Sequence, residues 1–250
     1  MQFLAFLSND QPIFAIQTII LATFLHIDTT NSIALIGLSK NGQIISSVQN
    51  EQSNTHAEFV QVAIDQICKQ SGISLSSIDA IVNVMGPGSY TGLRVGLAST
   101  KGIAFALNKP IIGLNTLQLL ALRAQKEIKK ISLSESSLIF SMIDARRQEV
   151  FGGWYQAQTL EIIKESPMIL SETFFTELVD KHHFIYCIGN GTQKSKLLTN
   201  NPNIHFIESD YSIAEMMEQA DTKWNSNQFE NVAYSTPIYL KDFYNTQKEK

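Results

Sequence analysis

Apolar positions along the chain keep two rhythms, and the rhythm changes at glycines. ILATFLHID (Ile20–Asp28) is apolar almost without break and predicts a strand buried on both faces. SIALIGLS and GQIISSVQ predict a second and a third strand, with Asn41-Gly42 between them as a hairpin turn. From 55 to 70 the apolar positions Val60, Ala63, Ile64 and Ile67 return at helical spacing, with Asn54 or Thr55 as N-cap and Gly72 past the end. A strand AIVNVM follows, then a glycine turn, then a helix from Thr91 to Leu107. Strand PIIGL and helix TLQLLALRAQKEI complete the first half.

After the polar stretch KKISLSESS the order restarts. LIFSMID, EVFGGWY and a segment from Leu160 predict three strands. Helix SETFFTELVDK, strand FIYCIG and helix SIAEMMEQADTKW follow. FLHIDTTNSIALIGL and FSMIDARRQEVFGGW echo each other, each with a strand ending in Ile-Asp before a polar turn. Asp28 and Asp144 are therefore equivalent positions in a duplicated unit. The fold class is α/β: two similar subdomains, each a mixed sheet flanked by helices, as in actin, sugar kinases and the Hsp70 ATPase domain. The expected divisions are an N-terminal extension (1–19), an N-terminal subdomain (20–125) and a C-terminal subdomain with its tail (126–250).

The chain has 250 residues, 44% of them hydrophobic, and a net charge of −4. That charge argues against a free-standing nucleic-acid binder, which carries a basic face. Cys68 and Cys187 share no C-x-x-C spacing and predict two buried, reduced thiols. The first segment has no Lys or Arg before its first apolar run, and Asp10 and Pro12 interrupt it. A signal peptide and a membrane span are not expected, and a cytoplasmic protein is.

Chemical motifs are mostly near misses. In MGPGSYTGLRVGLASTKG (Met85–Gly102), Leu93 stands where a P-loop needs lysine. Gly86, Gly88 and Gly92 are one residue too widely spaced for a dinucleotide fingerprint, and Ser89 lacks the flanking glycines of a nucleophile elbow. A turn opening a helix remains, so Asp28, Gly86, Gly88 and Ser89 are weak anion-site candidates. His56 and Glu58 start a helix, but the position four after His56 is Val60, and no metal set is expected. Arg146 and Arg147 beside Asp144 read equally as a solvated turn or an anion contact. In the helix after the glycine turn, Gly92, Gly96, Ser99 and Ala106, with Gly102 beside them, are read as one thin side for close approach. Phe59 and Val62 widen the apolar stripe of the preceding helix beyond what one sheet needs.

These segments, with LHIDTTNSIALIGLSKNGQI, SNTHAEFVQVAIDQIC and MIDARRQEVFGGWY, resemble the bacterial tRNA threonylcarbamoyladenosine biosynthesis family TsaB, also called YeaZ. The resemblance runs from about Leu21 to about Leu240 and is strongest in the first half. It implies an actin-like fold and a non-catalytic partner of TsaD, which transfers a threonylcarbamoyl group to the adenosine next to the tRNA anticodon. TsaD relatives carry H-x-E-G-H, whereas this chain reads His56-Ala57-Glu58-Phe59-Val60. Docking on TsaD through the first-half helices is implied, with His56, Phe59, Val60, Ala63, Ile67, Arg94, Val95, Gly96, Ala98, Ser99, Gly102 and Ala106 as interface candidates. TsaE is implied as a further partner, with tRNA held only through the complex and a homodimer in isolation. No resident cofactor is expected, and a nucleotide at the partner interface is left open. The competing expectations are a sugar-kinase-like phosphotransferase or metal-dependent hydrolase using the interlobe cleft, and a purely structural protein.

Overall fold

The computed structural model describes residues 22–50, 55–129, 137–171, 173–175 and 184–241. The N-terminal extension, Asn54 and most of SETFFTELVDK lie outside the described residues; of that segment, residues 173–175 are helical.

The first unit is built from β1 (Thr23–Asp28), β2 (Ala34–Lys40), β3 (Gln43–Asn50), α1 (His56–Ser71), β4 (Ala80–Gly86), α2 (Tyr90–Leu107), β5 (Ile111–Asn115) and α3 (Thr116–Ile128). The second comprises β6 (Leu138–Asp144), β7 (Glu149–Gln156), β8 (Ile162–Ile169), β9 (Ile185–Ile188), the short α4 (Thr192–Ser195), β10 (Ile204–Ile207) and α5 (Ile213–Asn225). The strand orders are β3-β2-β1-β4-β5 and β10-β9-β6-β7-β8. The second is the first read in reverse, with the same mix of antiparallel and parallel neighbours. Asp28 and Asp144 end the matching strands β1 and β6. β10 and α4, four residues each, were not expected from the sequence; their apolar runs are too short to show a period.

Local signals account for the boundaries. Asn41 and Gly42 both take positive φ, 55° and 72°, as a two-residue hairpin of this hand requires. Gly72 ends α1 in the left-handed region. Asn115 caps α3 by accepting from the amides of Leu117 and Gln118, and Ser212 with Glu215 forms a capping box on α5.

The layers run α1/α2, first sheet, α3/α5, second sheet, with residues 173–175 and Leu198 among the cover on the far side. The middle layer departs from a simple two-lobe division. α5 belongs to the second unit by sequence, yet it packs on β1, β2, β3 and β5. α3 ends the first unit and packs on β6, β7 and β9 as well as β4 and β5. One apolar cluster therefore runs from Phe24 and Val82 through Leu117, Leu120 and Met216 to Ile139 and Tyr155. The expected boundary at 125–126 falls inside α3, because that helix is shared by both sheets. Glu215 is buried and its carboxylate accepts from Lys126 at 2.9 Å, tying α5 to α3.

Candidate docking surface and interlobe cleft

α1 and α2 lie side by side on the first sheet. Val60, Ala63 and Ile67 are fully buried against it, with Ile64, Leu25, Ile36 and Ile81 in the same cluster. Each large apolar side chain buried this way contributes about 1.5–3 kcal/mol to the fold. Val60, Ala63 and Ile67 were expected at the interface and cannot touch a partner, because their stripe is the one the sheet takes. The outward side of α1 is Ala57, Glu58, Gln61, Val62, Asp65 and Gln66, with Phe59 half-buried. Val62 is 66% exposed.

The glycines of α2 divide between two faces. A Cβ on Gly92 would sit 1.9 Å from the Thr29 carbonyl oxygen, and one on Gly96 would sit 2.5 Å from Thr29 Oγ1. A Cβ on Gly102 meets nothing within 4 Å. At about 100° per residue, Gly102 stands roughly 120° around the helix from Gly96. The thin side is therefore internal. Gly96 leaves the expected interface set because it faces Thr29 and Asn83. The outward ridge is Thr91, Arg94, Ala98, Gly102, Phe105 and Ala106, all exposed, with Phe105 at 84%. Val95 and Ser99 are half-buried at the seam with α1, where Gln61 donates to Ser99 Oγ at 3.2 Å.

The glycine turn is held to the turn after β1. Ser89 N–H donates to Thr30 O at 2.7 Å, and Thr29 Oγ1 donates to Gly92 O at 2.7 Å. A Cβ on Gly88 would lie 2.5 Å from Thr30 O. Gly86 takes φ +116°, and its Cβ position is closed by the Ile238 carbonyl. Of the four anion-site candidates, Gly88 and Ser89 line the cleft. The Ser89 amide is already used by Thr30, and its hydroxyl accepts from Gly92 N–H.

Asp28 is buried and fully engaged. Oδ1 accepts from Thr30 N–H at 2.8 Å and from Thr30 Oγ1 at 2.7 Å; Oδ2 accepts from the Tyr211 hydroxyl at 2.6 Å. Burial pushes its carboxyl above the usual range, and the bonds from Tyr211 and Thr30 oppose that shift. Both oxygens of the carboxylate are thus committed to holding the turn, and Asp28 is not among the residues that line the cleft. No local signal points to Tyr211, which lies far along the chain just before α5.

Asp144 is the open counterpart. Oδ1 accepts from Arg146 N–H at 2.6 Å and from Lys194 Nζ at 3.0 Å, with the side chain 44% exposed. Between the two turns lies a cleft of about 840 Å³, lined by Thr30, Asn31, His56, Tyr90, Asp144 and Arg146 among others. His56 is buried at its wall, and Nε2 donates to Asn31 O at 3.0 Å. The helical position four residues on is Val60, under the sheet. Cys187 is buried and Cys68 partly so; both are free thiols. Among the described residues, no helix is long and apolar enough to cross a membrane.

Comparison with known proteins fits this architecture. The family model for TsaD, tRNA N6-adenosine threonylcarbamoyltransferase, matches residues 43–238. The TsaB proteins of Haemophilus influenzae and Bacillus subtilis are similar to the chain. The first is 31% identical over 129 residues (52% of each protein), the second 27% over 176 (70% of this chain, 73% of the relative). The chain thus spans about half the length of the Haemophilus relative. A crystal structure of YeaZ from Pseudomonas aeruginosa superposes with a TM-score of 0.69 at 24% identity, covering 88% of this chain and 100% of that one. A second, described as an uncharacterised protein with similarity to peptidase YEAZ from the same organism, gives 0.72 at 23%, with the same coverage. The duplicated sheets, the glycine turn clamped on the first strand's turn and the match over most of the length place this chain in the TsaD family, on its TsaB (YeaZ) branch.

Proposed function

We propose that the protein is the non-catalytic subunit of a tRNA threonylcarbamoyladenosine-forming complex, a scaffold and activator for a TsaD-type enzyme. TsaD would bring the transfer chemistry, TsaE would join the pair, and tRNA would be gripped through the assembly. The net charge of −4 suits a subunit that leaves most of the nucleic-acid contact to others.

One observation carries the reading. The fold keeps His56 at the cleft wall, but the residue one helical turn on is Val60, buried at 0% exposure in the sheet-facing core. A pair of imidazoles on one helical face cannot form there. The surplus apolar surface is outward instead, as Val62 on α1 and Phe105 on α2. Exposed apolar residues flanking a flat ridge of small residues suit close helix–helix docking.

The test is size-exclusion chromatography with light scattering, on this protein alone and mixed with the TsaD of its own organism. A one-to-one species is expected, followed by stimulated threonylcarbamoyl transfer to tRNA in the mixture. Absence of any complex, with and without nucleotide, would overturn the scaffold reading. Turnover of a nucleotide by the isolated chain would favour the cleft enzyme instead.

A further inference from the structure

The chain after α5 forms a strap along the flank of α2 opposite α1. Glu230 pairs with Ile111 at the open edge of β5, and Val232 packs into the cluster beneath α2. Ala233 O accepts from Lys101 Nζ at 3.0 Å. Farther on, Ile238 N–H donates to Met85 O at 2.8 Å, and Lys241 Nζ reaches Glu149 Oε2 on β7 at 2.6 Å. Between those two points Tyr239 lies against the N-terminal turn of α2. Its ring centroid is 5.6 Å from that of Tyr90. Arg94, one turn along, lies 4.1 Å above the Tyr90 ring, and the neighbouring Tyr239 hydroxyl favours its charged form.

We propose that the end of this strap is an intramolecular competitor for the docking face, in which Tyr239 holds Arg94 until a carboxylate of the partner takes it. The inference rests on the docking reading above. Arg94 is the exposed guanidinium of the outward ridge. A guanidinium matches a carboxylate through two parallel hydrogen bonds, whereas a phenol oxygen accepts through one neutral site. An acidic residue set in an apolar helix face is therefore the better occupant. Beyond Ser235 the strap is held by contacts that include one backbone bond, a ring contact, half-buried Leu240 against the central cluster, and an ion pair whose side chains are 37% and 28% exposed. Release leaves Glu230 and Val232 in place, so the edge of β5 stays covered.

The test is association of this protein with the TsaD of its own organism, followed by biolayer interferometry. Tyr239→Ala is expected to tighten binding about twofold to fivefold, the hold of one exposed polar contact to a guanidinium, with most of the change in the association rate because the competing contact is gone before encounter. Tyr239→Phe, which removes only the hydroxyl, should give part of that gain. In an Arg94→Ala background Tyr239→Ala should have no effect. Unchanged or weaker binding by both Tyr239 variants, at unaltered melting temperature, would overturn the competition. Phe105→Asp separates the two ideas: if it abolishes binding while Tyr239→Ala is silent, only the strap inference fails. If Phe105→Asp binds like the wild type, the docking reading falls with it, as it does if the wild type fails to bind.

Discussion

Two glycines in one helix should respond to the same substitution with opposite signs. Gly92→Ala must move the Thr29 carbonyl from 1.9 Å to an ordinary contact near 3.4 Å. That shift strains the Thr29–Gly92 and Ser89–Thr30 hydrogen bonds and, through Thr30, the cradle around Asp28. Overpacking costs about 1–3 kcal/mol and each of the two weakened bonds about 1, so a loss of about 3–5 kcal/mol is expected. Gly102→Ala meets open space in an exposed helix interior and should add about 1 kcal/mol from helix propensity alone. Urea unfolding followed by circular dichroism reads both. The midpoints should move in opposite directions at equal slope. A Gly92→Ala protein within about 0.5 kcal/mol of the wild type would refute the close approach of α2 to the first turn.

Val62→Asp, like Phe105→Asp, should weaken association with the partner at least tenfold while leaving the melting temperature within a few degrees; pull-down with light scattering checks both. Burial lowers the His26 pKa from 6.5 to about 3, and its Nε2 bonds Ser39 Oγ at 2.8 Å. The unfolded chain then binds the proton more readily between those values. This contribution is complete above pH 6.5 and lost as pH falls, about 2 kcal/mol by pH 5. His26→Asn should flatten that part of the stability–pH curve, and an unchanged slope would count against a neutral buried imidazole. Glu215→Ala removes the buried Lys126–Glu215 bond, leaving Lys126 to Glu218, and opens the capping box on α5, for a loss of about 2–4 kcal/mol by urea titration.

The sequence made the strands and long helices readable because their signals are local. Asn41-Gly42, Gly72 and the Ile-Asp echo each act over a few residues. What it hid is set by distant partners. The apolar stripe of α1 was visible, but which part of it the sheet takes was not, so Val60, Ala63 and Ile67 were misplaced. The small residues of α2 looked like one stripe; Thr29, reached only by folding, divides them. Asp28 read as an anion-site candidate, but Tyr211, far along the chain, donates to its Oδ2. The sharing of α3 and α5 leaves no trace in periodicity, since either sheet could receive either helix.

That sharing bears on how the protein is made. The inner face of the first sheet, with Phe24, Ala80 and Val82, is complete by residue 115, yet the helix that covers much of it ends at Asn225. At about 5–20 residues per second, synthesis of the intervening chain takes on the order of ten seconds. During that time a nascent first half presents an apolar sheet that α3 covers only in part. Neither half is a free-standing folding unit, so cutting the gene between them should yield two insoluble fragments that become soluble only when expressed together.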